Sequence, residues 1–211
     1  MLLDLYKKHW DLFKHHYAKP TALITLASLV IALVGYFYFI KNEAVMLEFF
    51  NDLMLHFESM GVGEQTTHSE LFTIVLFNNL RVSAFMIILG FIPVIVLPSL
   101  SGVATTMSVS MVTAFFSIND MYPLHMLAFG IFPHGIIELF AIYLAGGIGV
   151  YMSLNLFKKI FSPKRAEIKI GSIIKQSLLS YLLLVAPLII LAALIEGFIT
   201  PVLIESFYPG F

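Results

Sequence analysis

The chain of 211 residues is 59% hydrophobic and only 12% charged, with a mean hydropathy of +0.93. A soluble domain carries about a quarter charged residues. Half that share cannot cover a water-facing surface, so the composition specifies an integral membrane protein in contact with the lipid bilayer. A net charge of −1 excludes the basic surface that nucleic acid needs as a partner, and the absence of Cys excludes disulfides, thiolate metal sites and Cys nucleophiles.

The expected fold is all-α, a single membrane domain over residues 1–211 with five transmembrane helices. Residues 1–20 read as a cytoplasmic amphipathic segment, with Trp10 and Tyr17 beside His9, His15 and His16. Span one covers 21–40, an uncharged run long enough to cross the hydrocarbon core at about 1.5 Å per residue. It ends Phe-Tyr-Phe-Ile-Lys rather than in small residues, which argues against a cleaved signal peptide.

Residues 41–70 set Glu43, Glu48, Asp52, Glu58, Glu64 and Glu70 against the single Lys41. Met46, Phe49, Phe50, Leu53, Phe57 and Met60 recur there at helical spacing. This pattern predicts an amphipathic extracytoplasmic helix, on the membrane surface or against the bundle, ended by Gly61-Val62-Gly63. Span two covers 71–97, and span three covers 100–118, rich in the Ser, Thr and Gly that suit close helix packing. Pro133 divides the long apolar stretch that follows. A broken or re-entrant segment over about 123–131 is expected before span four, which starts at Pro133 and covers 133–157. A basic cytoplasmic loop over 158–176 leads to span five, 177–199, with a kink expected at Pro187.

Ten of the twelve Lys and Arg residues fall before span one or between spans four and five. Those segments share one side, which the positive-inside rule makes cytoplasmic. The expected location is the cytoplasmic membrane, multi-pass, with the N-terminus inside and the C-terminus outside.

Ionisable residues within spans are costly and face the bundle interior or a wet cavity. On this topology Asn78, Asn79 and Arg81 of span two, His134 and Glu138 of span four, and Glu196 of span five fall in the outer third of the membrane. His134 and Glu138 are four apart and share a helix face, continued by Ala141, Ala145, Gly149 and Met152. A similar stripe, Asn79, Ser83, Met86 and Gly90, runs along span two. Such small-residue seams pack helices within one chain or between two copies in a homo-oligomer.

Three readings of the polar cluster stand side by side. In the first, Arg81 pairs with Glu138 and the cluster fixes the packing. In the second, His134, Glu138 and Glu196 ligate a divalent metal such as zinc, with a position left for water. In the third, the cluster lines an ion or proton pathway. The sequence itself requires no cofactor. Without Cys or a Gly-x-Ser-x-Gly elbow, a nucleophilic hydrolase is disfavoured.

Three segments carry a family resemblance: Phe77-Asn78-Asn79-Leu80-Arg81-Val82, Pro133-His134-Gly135-Ile136-Ile137-Glu138-Leu139 and Ile195-Glu196-Gly197-Phe198-Ile199-Thr200-Pro201. In order, spacing and helical context they resemble the stage II sporulation protein M family of polytopic membrane proteins. The resemblance implies a non-enzymatic membrane scaffold or anchor for extracytoplasmic partners that remodel the cell envelope and its peptidoglycan. The alternatives are a transporter or channel for an ion or lipid-linked substrate, and an intramembrane metal-dependent hydrolase acting through His134, Glu138 and Glu196.

Overall fold

Helix accounts for 88% of the structure, a computed structural model, and no strand occurs among the described residues. These are residues 2–63, 65–163 and 165–207. Glu64 of the acidic segment, Lys164 of the basic loop and the C-terminal residues 208–211 lie outside them.

The helices are α1 (Leu2–Leu12), α2 (Ala18–Lys41), α3 (Glu43–Ser59), α4 (His68–Leu89), α5 (Leu100–Ile118), α6 (Pro123–His125), α7 (Phe132–Phe161), α8 (Ile170–Ser180), α9 (Ala186–Phe198) and α10 (Thr200–Phe207). Wide π-helical turns at Phe13–Tyr17, Met126–Ile131 and Tyr181–Val185 join α1 to α2, α6 to α7 and α8 to α9. The outcome is five continuous helices long and apolar enough to cross a membrane: Leu3–Lys41, His68–Leu89, Leu97–Ile118, Pro123–Phe161 and Ile170–Phe207.

Each π turn is followed within three residues by a proline: Pro20, Pro133 and Pro187. A proline inside a helix has no N–H to give, and its ring collides with the carbonyl four residues back. Those carbonyls belong to His16, Phe129 and Leu183, all within the π turns, where the backbone is wider. This corrects the break expected before Pro133. The helix runs through from Pro123 to Phe161, because the π turn absorbs the proline.

The short connections follow their residues. Gly61, at φ +93°, ends α3. Its N–H bonds to the Glu58 carbonyl and that of Val62 to the Phe57 carbonyl, the paired bonds of a Schellman motif. At the start of α4, Thr67 and Glu70 form a reciprocal capping box. The Thr67 N–H donates to the Glu70 carboxylate at 2.9 Å, and the Glu70 N–H donates to the Thr67 hydroxyl at 3.3 Å.

Contacts divide the chain into two compact units. The first comprises Met1–Ala27, Asn79–Gly102 and Phe140–Ile189. In it the two predicted small-residue stripes meet. Asn79, Ser83, Met86, Ala141, Ala145 and Met152 are buried. A Cβ built on Gly90 would lie 2.7 Å from the Gly149 carbonyl oxygen, so only glycine permits this approach. The Ser153 hydroxyl donates to the Ile92 carbonyl at 2.7 Å and steadies the turn after α4.

The second unit comprises Ser28–Asn78, Val103–Leu139 and Ile190–Phe211. Its core joins Phe39, Met46, Met111 and Ala114, with Phe50 stacked on Phe115 at 3.9 Å between ring centres. Here α3 lies against α2 and α5, the second of the two placements open to the acidic segment. The Ser110 hydroxyl donates to the Ala32 carbonyl at 3.0 Å, tying α5 to α2. The opposite side of α2 in this unit exposes Leu29, Val30, Leu33, Val34 and Phe37. An apolar helix face of this length finds a stable environment in lipid, not in water.

Candidate functional site

His134 sits in the first turn of α7, just after Pro133, and Glu138 lies one turn further along the same face. Glu196 is near the end of α9, and Thr200 begins α10 four residues later. Two helical i, i+4 pairs therefore supply all four side chains, and all four belong to the second unit. Gly197 is what lets α9 come close to α4 here. A Cβ built on it would lie 2.9 Å from the Phe72 Cα and 3.0 Å from the Phe72 nitrogen. At the far end of α10, Phe207 stacks on Phe129 of the π turn at 3.8 Å, holding this helix against the segment that leads into His134.

One donor atom each from His134, Glu138 and Glu196 falls within 4.8 Å of the other two. The imidazole is oriented from both sides. Its Nδ1 lies 3.0 Å from the Thr200 hydroxyl, and its Nε2 faces the Glu196 carboxylate at 3.7 Å. The first distance is a hydrogen bond; the second is too long for one. The His134 and Glu196 side chains are 12% and 22% exposed, so the site is largely sheltered.

The remaining residues of the predicted cluster lie on α4. Asn78 is half-buried in the second unit, Asn79 is buried in the first, and Arg81, also in the first, is exposed. His125 stacks on Tyr122 at 5.6 Å and meets Phe129 edge-on. His68 stacks on Phe198 at 6.3 Å.

Two residues escaped the sequence reading as contributors. Thr200 entered it only as part of a family segment. His9, expected in a cytoplasmic amphipathic segment, is 1% exposed. In the first unit its Nδ1 bonds to the Ser180 hydroxyl at 2.8 Å, and Ser180 in turn donates to the Tyr17 hydroxyl at 3.2 Å. The signal was present in the inward spacing of Leu5, His9, Leu12 and Tyr17, whose exposures are low beside Lys7, Lys8 and Asp11.

The fold and this site define a polytopic helical membrane protein whose conspicuous feature is a His and two Glu side chains gathered within its spans. The sequence model of the family described as Stage II sporulation protein M matches residues 22–201, most of the chain, and the protein belongs to that family. No curated protein and no solved structure matches it.

Proposed function

We propose that this protein is a membrane anchor that displays α3 at the extracytoplasmic face of the cytoplasmic membrane, as a platform for proteins that remodel the cell envelope. The observation that carries the reading is the attachment of α3. One of its faces is fixed to the helix bundle by Met46 and Phe50. The opposite side exposes Glu48, Asp52 and Glu58 together with Leu55, and Phe49 is exposed at the edge of the packed face, against Phe39. A surface of carboxylates around large apolar side chains suits a partner that presents basic residues around an apolar patch. Family membership supports the reading, since the family's name comes from a developmental process that rebuilds the envelope. The asymmetric placement of Lys and Arg supports the orientation.

The test is site-specific photocrosslinking in living cells. A photoreactive residue at Asp52 or Leu55 is expected to give a discrete crosslink to an envelope protein, and one at the packed Phe50 is expected to give none. With the photoreactive residue at Leu55, replacing Glu48, Asp52 and Glu58 together by Lys should abolish the crosslink while leaving the detergent-solubilised protein equally stable. Absence of any crosslink at both exposed positions, or its survival after charge reversal, overturns the reading.

A further inference from the structure

We propose that His134, Glu138 and Glu196 bind a single divalent transition-metal ion, with zinc as the preferred occupant and Thr200 as the residue that orients the histidine. Four observations combine. The donor set is one imidazole and two carboxylates, a mixed nitrogen and oxygen site of the kind zinc and its first-row neighbours occupy. With the imidazole neutral, it carries two negative charges, which a divalent cation neutralises. The donor atoms already converge to within 4.8 Å of one another.

The third observation is a distance. Two ligands on a tetrahedral zinc, each about 2.1 Å from it, stand roughly 3.4 Å apart. His134 Nε2 and Glu196 Oε2 are separated by 3.7 Å, long for a hydrogen bond and close to the ligand spacing. The fourth is the hydrogen bond between His134 Nδ1 and the Thr200 hydroxyl at 3.0 Å. Metal-binding histidines hold their second ring nitrogen through such a partner; in the tautomer that donates from Nδ1 to Thr200, the Nε2 lone pair is free for the ion. Three protein donors leave one position of a four-coordinate ion for an exogenous oxygen, the arrangement that distinguishes a reactive or ligand-accepting site from a structural one.

The site is independent of the α3 platform: partner docking there persists or fails regardless of metal. The experiment uses the full chain in detergent, stripped with chelator, loaded with zinc chloride and desalted. Bound metal is measured by elemental analysis, and the unfolding temperature is recorded with zinc and with magnesium. Wild type is expected to retain one zinc per chain and to unfold at a higher temperature with zinc but not with magnesium. His134→Ala, Glu138→Gln and Glu196→Gln should each lose both properties. Thr200→Val, which keeps the shape of the side chain, should weaken zinc affinity about 10- to 100-fold without eliminating it. His15→Ala with His16→Ala, in the exposed N-terminal segment, should change neither reading. A well-folded wild type that retains no zinc overturns the proposal. So does zinc retained in full by Glu138→Gln and Glu196→Gln, or unchanged affinity in Thr200→Val.

Discussion

Gly197 and Phe72 stand at backbone contact: a methyl group placed on Gly197 would fall 2.7 Å from the Phe72 Cβ and 2.9 Å from its Cα. The neighbour of that glycine is Glu196, so this close helix crossing helps fix the position of a site carboxylate. Packing and site are built from adjacent residues, which is why the segment Ile195-Glu196-Gly197 reads as a unit.

Gly197→Ala therefore forces α9 away from α4. Overpacking of this kind costs about 1–3 kcal/mol. Gly171→Ala is its control, since a Cβ there meets nothing within 4 Å. Unfolding in detergent should show a clear loss for the first variant and none for the second. Equal stability of the two would mean the crossing is looser than described.

The capping box at the start of α4 gives a smaller and cleaner effect. Thr67→Ala removes the hydroxyl that receives the Glu70 N–H and should cost about 1 kcal/mol, whereas Thr67→Ser keeps it and should cost little. Chemical denaturation of the three proteins side by side distinguishes these values.

The buried His9 and Ser180 pair tests the N-terminal helix. Ser180→Ala leaves the His9 Nδ1 in a dry interior without its partner, a loss of about 1–3 kcal/mol. Adding His9→Leu removes the stranded polar group and should return part of that stability. A double-mutant cycle with no coupling would contradict the buried placement of His9.

Much of this architecture was legible in the residues. The spans follow from long apolar runs, and the meeting of Gly90 with Gly149 follows from small residues repeating every four positions. The shared face of His134 and Glu138 follows from their i, i+4 spacing, whereas the count of depth that grouped them with Glu196 also grouped Asn79 and Arg81, which belong to the other unit. Other features were not legible, for physical reasons. Pro133 reads as a break because proline lacks a donor, but a π turn upstream satisfies it without ending the helix. Nothing in a sequence distinguishes those two solutions. Thr200 was hidden because its role depends on where α10 lies, and that is set by the distant stack of Phe207 on Phe129. His9 was hidden because its lysine neighbours dominate the local composition, while its burial comes from Ser180 and Tyr17, far along the chain or two turns away.

The proposed anchor requires α3 and the His134 cluster to face the extracytoplasmic side. The most direct measurement is cysteine accessibility in intact cells, for which the chain is a clean background because it has no native Cys. Single cysteines replace Gly63, in the turn after α3, and Lys169, at the start of α8, both exposed. With a membrane-impermeant thiol reagent, labelling is expected at 63 in intact cells and at 169 only after the membrane is opened. Labelling at 169 from outside, with 63 protected until lysis, would invert the topology and contradict the extracytoplasmic platform.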